Sequence, residues 1–330
     1  MKDNILVSII IPLYNKEQYF ERCFDSVVRQ TYKNIECIIV EDCSTDGSLE
    51  LAERLIKNYA GNVKFLLIKH EQNGGLSVAR NTGIKNSNGE YIYFLDSDDE
   101  ITENCINSLV MLVEQYPSVN IVQGNVYQYP RVEKDPYELK GKLPEFASGN
   151  LEIKKCYSTY LPVNAWNKLI SNKFITQNDL YFKPGIIHED YLWRFFMLKR
   201  ISSFAYTDEY CYIRYFLPDS IMTNLNLFPS ISSYLAIVED MLSNLDIDLL
   251  EEQLLRIRKL LNLQKTKILS DKKYLPLLPR CQMLQAKFPK RHLFVRLISY
   301  DMKWTIYVIM QKIFGKKLAE KTKKAFKRLI

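Results

Sequence analysis

The run FLDSDDE at residues 94–100 places four carboxylates within five residues, directly after the apolar run 91–95. Like charges this close repel one another, so folding alone gives no reason for them. A divalent cation would remove the repulsion, and oxygen-only ligands suit Mg²⁺ or Mn²⁺, usually with substrate phosphates completing the shell. The alternative is a solvated acidic turn that caps the helix after it. The run is therefore either a metal site or a cap.

The elements that would position this run alternate regularly along the first hundred residues. Apolar, mostly β-branched runs end in Pro or in acidic turn residues, at 7–11, 35–40, 63–68 and 91–95. Stretches with helical spacing lie between them, at 19–28, 49–59 and 76–84. This alternation predicts βαβ units and a parallel sheet, which places ligand sites at the carboxyl ends of the strands. Asp42 and the cluster at 96–99 are therefore expected to share one crevice.

Four sequence motifs occur in order and at characteristic spacing: IIIPLYNKEQY, VEDCSTDGS, NGGLSVARNTGI and YIYFLDSDDEI. Together they resemble the motifs of glycosyltransferase family 2, the nucleotide-sugar transferases of the GT-A fold. The resemblance covers residues 5–130 well. It extends more loosely to about residue 225 through WNKL, HEDYLW and YIRYFLPDSI. It implies an α/β, GT-A (Rossmann-like) fold with a mostly parallel sheet flanked by helices.

The domain organisation implied by the resemblance is a catalytic domain over residues 1–225. Its nucleotide-sugar half would be about 1–130 and its acceptor half about 131–225. Residues 226–330 are predicted to form a helical, basic C-terminal region. A chain of 330 residues can bury a sizeable core, and its content of 47% hydrophobic and 25% charged residues is that of an ordinary globular protein.

A nucleotide-sugar site along the first motifs is also implied by the resemblance, position by position. Tyr14 would lie against the base, where a flat ring gains stacking energy. Asp42 would accept a hydrogen bond from the base. Arg80 would lie near the ribose and diphosphate, because its fork of donors suits phosphate oxygens. The complete implied set is Pro12, Tyr14, Asn15, Asp42, Arg80, Asn81, Asp96 and Arg214.

Some of these residues also have simpler interpretations. Tyr14 and Asn15 could form a turn, and Arg80 could be a surface helix residue. The chain departs from the family pattern in the second motif. Glu41 stands where the family usually has Asp, and Cys43 replaces the usual Gly, so this loop is expected to be less free to take positive φ. These departures bear on which nucleotide is recognised.

The metal and the base follow from the later motifs. Asp96 and Asp98 match the family's DxD pair, with Asp98 as the expected direct ligand of Mn²⁺ or Mg²⁺. Asp190 falls at the position of the family's catalytic base, with Glu189 in reserve. An inverting transferase needs such a carboxylate to take the acceptor proton, while the cation absorbs charge on the departing diphosphate. The alternative for the Glu189–Asp190 pair is N-terminal capping of a predicted helix at 191–199.

Two neighbouring residues have open interpretations. Trp166 could form a sugar-stacking wall on the acceptor side or pack in the core. His188 is more typical of a structural residue than of a ligand, because none of the three histidines has metal-binding spacing with another. The Gln-x-x-Arg-Trp motif of processive polysaccharide synthases does not follow HED, which favours the addition of a single sugar.

Charge is distributed unevenly along the chain. Residues 1–250 carry 24 Lys and Arg against 33 Asp and Glu, whereas residues 251–330 carry 21 against 5. The basic tail also has apolar residues at helical spacing, such as Trp304, Tyr307, Ile313 and Phe314. This pattern is typical of an anchor on an anionic membrane surface, and its longest apolar stretch is too short to span one. The alternative is a helical subdomain with a solvated basic face, and nucleic-acid binding is disfavoured because no recognition motif accompanies the charge.

The chain has seven scattered cysteines, an odd number, with no CxxC pair and no signal-peptide pattern. These features predict a location in the reducing cytoplasm. The basic tail adds the prediction of peripheral attachment to the inner face of the membrane. The function predicted from the sequence is inverting, metal-dependent transfer of one sugar from a nucleotide-diphosphate sugar, expected to be a UDP-sugar, to a glycan or lipid-linked acceptor in surface polysaccharide biosynthesis. A catalytically silent nucleotide-sugar-binding or scaffold protein at the membrane surface is the alternative. A sugar-1-phosphate nucleotidyltransferase ranks last, because residues 12–16 contain no Gly. The oligomeric state stays open.

Overall fold

The computed structural model describes residues 5–131, 139, 143–149, 153, 162–216, 227–246 and 249–288. The chain divides into two compact units, Met1–Leu277 and Leu278–Ile330. The first unit contains the whole described sheet and the helices that flank it. The described part of the second unit is a helix, Leu278–Ala286. The basic tail at 290–330, with its predicted amphipathic helix, lies outside the described residues.

Nine strands are described in the first unit. They are β1 (Val7–Leu13), β2 (Ile35–Glu41), β3 (Lys64–Lys69), β4 (Tyr91–Phe94), β5 (Glu100–Ile101), β6 (Ile121–Tyr129), β7 (Phe146–Ser148), β8 (Lys168–Ser171) and β9 (Ser203–Tyr215). The helices are α1 (Glu17–Val28), α2 (Ser48–Asn58), α3 (Leu76–Lys85), α4 (Cys105–Gln115), α5 (Asn172–Gln177), α6 (Glu189–Leu198), α7 (Leu227–Ser243) and α8 (Leu250–Ser270), with a 3₁₀ turn at Lys272–Leu277. The helix of the second unit is α9.

The strand order is β3-β2-β1-β4-β8-β6-β9-β5, with β7 paired to β9. The part of the sheet formed by β1 to β4 is parallel, since β1 pairs in parallel with β2 and β4, and β2 with β3. Beyond β4 the sheet becomes mixed, because β8 runs antiparallel to both β4 and β6. Apolar side chains on the two faces of the sheet form two buried clusters beneath the helices. The predicted α/β fold is confirmed.

Strand β1 continues through Pro12 to Leu13, although the sequence pattern predicted that it would stop at Pro12. The Ile10 carbonyl accepts from Leu95 on the β4 side, whereas the Leu13 carbonyl accepts from Asp42 on the β2 side. Pro12 therefore presents its backbone towards β4. The pairing of β1 with β4 ends at Ile10, so the missing N–H of Pro12 removes no hydrogen bond between the strands.

The central position of β1 brings the predicted motifs to one edge. Because β2 and β4 lie on either side of β1 and all three are parallel, their carboxyl ends point the same way. Asp42 is the first residue after β2, and Asp96 is the second residue after β4. The end of β9 reaches the same turn, since the Tyr215 N–H donates to Asp99 Oδ1 at 2.8 Å. Asp42 and the acidic turn therefore lie at the same edge of the sheet.

Candidate active site

The acidic turn after β4 distributes its four carboxylates among separate partners. Asp99 is buried and accepts from the Tyr212 hydroxyl and the Tyr215 N–H, both at 2.8 Å. Glu100 pairs with Arg22 Nε at 3.1 Å and accepts from the Tyr215 hydroxyl at 2.6 Å. The sequence argument that folding gives no reason for these charges is therefore wrong for Asp99 and Glu100, which fasten β9 and α1 to the turn.

The two other carboxylates retain access to solvent. The side chains of Asp96 and Asp98 are 27% and 21% exposed. Asp98 Oδ2 lies 2.6 Å from Lys16 Nζ, and Asp96 Oδ1 lies 3.1 Å from an amine nitrogen of Arg80. Burial raises the pKa of Asp96, and the charge of Arg80 opposes that rise. These are the two positions that the DxD resemblance selected.

The donor set at this turn fits a cation that a substrate helps to hold. Asp96 and Asp98 supply carboxylate oxygens, which Mg²⁺ and Mn²⁺ prefer. Among the described residues, no group of three or more His, Cys, Asp or Glu side chains is arranged to hold a metal. Phosphate oxygens of a bound donor would therefore have to complete the shell. Lys16 would have to leave Asp98 for that carboxylate to bind the cation.

Arg80 lies at the centre of the acidic cluster rather than on the surface of α3. Its side chain is 1% exposed, and one amine nitrogen donates to Glu189 Oε1 at 2.7 Å and to Asp190 Oδ1 at 2.9 Å. The other donates to Asp96 Oδ1 at 3.1 Å. Burial by itself would lower the pKa of Arg80, but the charges of Asp190, Asp96 and Glu189 outweigh it and raise that pKa. One guanidinium thus joins the DxD pair to the HED segment.

The HED segment opens α6, which begins at Glu189, two residues earlier than the pattern predicted. Both carboxylates therefore lie in the first helical turn, which the helix dipole favours. The side chain of Glu189 is 7% exposed, and burial followed by the charge of Asp190 raises the pKa of Glu189 to about 7. The side chain of Asp190 is 18% exposed, and its Oδ2 accepts from the Ala165 N–H at 3.3 Å. Of the two, Asp190 is the more accessible to an acceptor.

His188, just before α6, fixes this segment through contacts with α7. It adopts a left-handed backbone conformation with φ of 65° just before α6. Its Nε2 lies 2.8 Å from Ser230 Oγ, and its ring stacks on Tyr234 at 4.3 Å. The Ile187 N–H donates to Ser233 Oγ. These contacts with α7 agree with the structural role predicted for the histidine, and they hold the chain where α6 begins.

The residues predicted to contact the nucleotide lie at the end of β1 and in the loops after β1 and β2. Tyr14 is 41% exposed, whereas Pro12 is buried in β1. Asn15 has a φ of 51°, and its side-chain oxygen accepts from the Thr45 N–H at 2.8 Å. The Asn15 N–H donates to Ser44 Oγ. Asn15 therefore ties the two loops together, and Tyr14 beside it presents a free ring face to solvent.

Cys43 takes a φ of 62°, the left-handed conformation that this loop was expected to adopt less freely than with Gly. The carboxylate of Glu41 accepts hydrogen bonds from the Cys43 and Ser44 N–H groups. These bonds hold the left-handed turn that a Gly would adopt freely. Glu41, the other departure from the family pattern, thus stabilises the conformation that Cys43 disfavours.

Asp42 is buried, and both of its oxygens have partners within the chain. Oδ1 accepts from the Gly74 N–H at 2.9 Å and lies 2.6 Å from His70 Nδ1. Oδ2 accepts from the Gly75 N–H at 2.7 Å. His70 is a residue that the sequence reasoning missed, since 28 positions separate it from Asp42 and no local pattern connects them. His70 Nε2 also lies 2.9 Å from the Thr82 hydroxyl, which links this carboxylate to α3.

The remaining predicted residues make contacts within the protein. Asn81 exchanges two hydrogen bonds with the backbone of Phe182, which fixes the segment before HED against α3. Arg214 lies near the end of β9 and donates to Gln128 Oε1 at 3.1 Å. Trp166 is buried and stacks on Tyr212 at 4.5 Å, which favours core packing over a sugar wall. The segment 217–226 that follows β9 lies outside the described residues.

In the described part of the chain, no helix is both long enough and apolar enough to cross a lipid bilayer.

Comparison with protein-family models matches residues 8–189 to the model described as Glycosyl transferase family 2. The chain is 35% identical over 192 residues to Glycosyltransferase GlyA of Streptococcus pneumoniae, covering 56% of this chain and 27% of that protein. It is 32% identical over 240 residues to the uncharacterized glycosyltransferase EpsJ of Bacillus subtilis, covering 70% and 66%. The chain thus spans less than two thirds of the length of these curated relatives.

Among solved structures, the fold is similar to that of S. aureus TarS 1–349, which was determined in complex with UDP-GlcNAc. The TM-score is 0.70 at 18% identity, and the match covers 98% of this chain and 92% of that one. At this identity the likeness concerns the fold alone. It confirms the GT-A fold that the motifs implied.

Proposed function

The chain belongs to glycosyltransferase family 2, and we propose on that basis that it transfers one sugar from a nucleotide-diphosphate sugar to an acceptor hydroxyl with inversion at the anomeric carbon. The observation that carries the proposal is the placement of Arg80, which donates to Asp190 at 2.9 Å and to Asp96 at 3.1 Å. A single displacement needs the base and the leaving-group site on opposite sides of one carbon. A shared guanidinium keeps the two carboxylates at a short, defined separation.

In the proposed mechanism Asp190 takes the proton of the acceptor hydroxyl as that oxygen attacks. Arg80 and the Ala165 N–H donate to its two oxygens, which holds the carboxylate in one orientation. Glu189 is more deeply buried and is the reserve base. Asp98 and Asp96 would hold Mn²⁺ or Mg²⁺, which neutralises charge on a diphosphate leaving group when bound.

A UDP-sugar is the proposed donor. The exposed ring of Tyr14 offers a surface on which a base can stack. A carboxylate has about four acceptor positions, and Asp42 uses three of them within the chain, so one remains for a base N–H. The complex of TarS with UDP-GlcNAc, on the same fold, supports the choice of uridine.

The proposed acceptor is a glycan or a lipid-linked glycan of surface polysaccharide biosynthesis, reached at the inner face of the membrane. Support comes from the basic tail at 290–330, which carries 12 Lys and Arg against 2 Asp and Glu. Each basic residue near an anionic surface contributes about 1 kcal/mol. Changing Lys321, Lys323 and Lys324 to Glu should release the full chain from anionic vesicles but leave donor binding intact. Equal vesicle binding by both proteins would assign the tail to a structural role.

The test of the transfer reaction begins with a calorimetric screen of nucleotide sugars, each with and without Mn²⁺. Asp190→Asn should bind the selected donor as the wild type does but turn over about 10²–10⁴-fold more slowly, the range for loss of a general base. Asp25→Asn, an exposed position on α1, is the matched control and should behave as wild type.

Each contrary outcome of this screen has its own meaning. Wild-type turnover by Asp190→Asn would move the base role to Glu189. Donor binding without any transfer, tested with lipid-linked and soluble glycan acceptors, would favour the catalytically silent binding protein. The absence of any donor binding would refute the nucleotide-sugar site itself.

A further inference from the structure

Lys168 is a buried lysine that directly follows the segment 164–167. It is the first residue of β8 and has no exposed surface. Its ammonium donates to the Asn164 carbonyl at 2.6 Å and lies 3.4 Å from the Trp166 carbonyl. A buried charge is costly unless it is hydrogen-bonded or paired, so this arrangement needs a compensating reason.

The two carbonyls that Lys168 contacts lie on either side of Ala165. The Ala165 N–H donates to Asp190 Oδ2 at 3.3 Å. The side chain of Asn164 adds a further bond to the Trp166 carbonyl at 2.8 Å. Lys168 therefore closes a small turn, 164–166, whose central N–H points at the oxygen of Asp190 that Arg80 does not contact.

The chain enters β8 through a constrained residue. Asn167 has a φ of 58°, and its side-chain nitrogen donates to the Gly124 carbonyl at 2.7 Å. Most side chains disfavour the left-handed backbone conformation, and the hydrogen bonds of the Asn167 side chain stabilise it here. This bend separates the turn from the strand and allows Lys168 to reach back to Asn164. The turn is thus anchored to the sheet by β8, which pairs with β4, the strand that leads into the DxD turn.

We propose that Lys168 is a positioning residue for Asp190, which it serves by holding the 164–166 turn so that the Ala165 N–H is aimed at the carboxylate. The inference rests on the proposed function, because it assigns Asp190 the role of base. Lys168 has no described contact with the reacting atoms and acts through the backbone of Ala165.

The charges around Lys168 are consistent with this role. Burial lowers the pKa of Lys168 to about 7, and the charge of Asp190 opposes that fall, whereas Arg194 and Arg80 add to it. A lysine that merely filled space could be replaced by an apolar side chain of the same length at little cost, since buried charges are often replaced without loss of stability. After such a replacement the 164–166 turn would lose the hydrogen bonds from Lys168, although the new side chain would still fill the core.

The experiment replaces Lys168 by Met in the full chain, with Lys173→Met as the matched control. Lys173 lies on α5, is exposed, and has the same residue type. We expect Lys168→Met to bind the donor with a Kd within about twofold of wild type but to lose about tenfold in kcat, which corresponds to about 1.4 kcal/mol of transition-state stabilisation.

Two results would overturn the proposal. A kcat equal to that of Lys173→Met would show that the base does not need the clamp. Parallel losses of donor affinity, kcat and stability would make Lys168 an ordinary structural residue. Lys168→Gln, which keeps a donor without the charge, is the second variant and should lie between wild type and Met. If neither variant folds, Lys168 serves the core and the proposal fails.

Asp190→Asn, measured in the same series, separates this inference from the proposed function. If Asp190→Asn is inactive and Lys168→Met is fully active, the inference fails alone. If Asp190→Asn is as active as wild type, the assignment of Asp190 as base fails. Any loss of kcat in Lys168→Met would then have a different cause.

Discussion

Arg80→Met should be among the more damaging single substitutions in the crevice. The change removes a guanidinium that is 1% exposed and leaves Glu189, Asp190 and Asp96 without their shared partner. Removing one member of a buried ion pair costs about 3–5 kcal/mol, because the remaining charge is left uncompensated. Two of the three carboxylates are less than one fifth exposed. We therefore expect a loss of about 3–5 kcal/mol in the free energy of unfolding at pH 8.

The loss should shrink as the pH falls. Burial, and next the charge of Asp190, raises the pKa of Glu189 to about 7 from its ordinary 4.5, although Arg80 pulls it down. A carboxyl group whose pKa is higher in the folded protein stabilises that state once it is protonated. This contribution is complete below the unfolded pKa and is lost as the pH rises through the folded pKa. Without Arg80 the folded pKa of Glu189 rises further, so protonation relieves more of the damage at pH 5.5 than at pH 8.

The assay is urea unfolding at pH 8 and pH 5.5. Arg29→Met is the control, because its side chain is 48% exposed and its contact with Glu100 is long, at 3.4 Å. An exposed ion pair is worth at most about 1 kcal/mol. Arg80→Lys keeps one charge but lacks the fork that reaches three carboxylates, so it should restore only part of the stability. A loss below about 1 kcal/mol for Arg80→Met, or an equal loss at both pH values, would refute the reasoning.

Three further predictions concern individual contacts. Asp98→Asn should abolish the Mn²⁺ dependence of donor binding, measured by calorimetry with and without the cation, and a retained dependence would contradict the ligand assignment. Tyr212→Phe removes the hydroxyl that donates to buried Asp99 and should cost about 1–3 kcal/mol in urea unfolding. An unchanged midpoint would mean that this carboxylate is satisfied elsewhere. His70→Ala should lower the free energy of unfolding by about 1–3 kcal/mol, since Asp42 loses a hydrogen-bond partner. It should also speed backbone amide exchange at residues 70–75. Wild-type exchange there would assign the loop to other contacts.

Much of the fold could be predicted from local patterns. The alternation of apolar runs with helical spacing identified the first four strands and three helices, because each pattern depends on neighbours only a few positions away. The observed ends of strands and helices differ from the predicted ends where a local rule competes with the tertiary fold. Pro12 did not end β1, since its backbone faces the side where β4 has already stopped pairing.

The placement of Asp42 and the acidic turn at one edge followed from the sequence, because the carboxyl ends of parallel strands meet at one edge of a sheet. The ordered motifs added Asp96, Asp98 and Asp190 as candidates, and the structure leaves all three partly accessible. Their catalytic and metal-binding roles remain predictions, and so does membrane binding by the basic tail.

The partnerships among the charged residues were decided only by the tertiary structure. Arg80 and Glu189 are 109 positions apart, and no periodicity signals their contact. They meet because β8 inserts antiparallel between β4 and β6, and because α7 holds His188 where α6 begins. Likewise, Asp99 and Asp98 are neighbours in one acidic run, yet Asp99 is buried against Tyr212, whereas Asp98 is partly exposed and pairs with Lys16. Short-range patterns encode strands, helices and motifs, whereas the partner that neutralises a buried charge depends on which distant elements the sheet brings together.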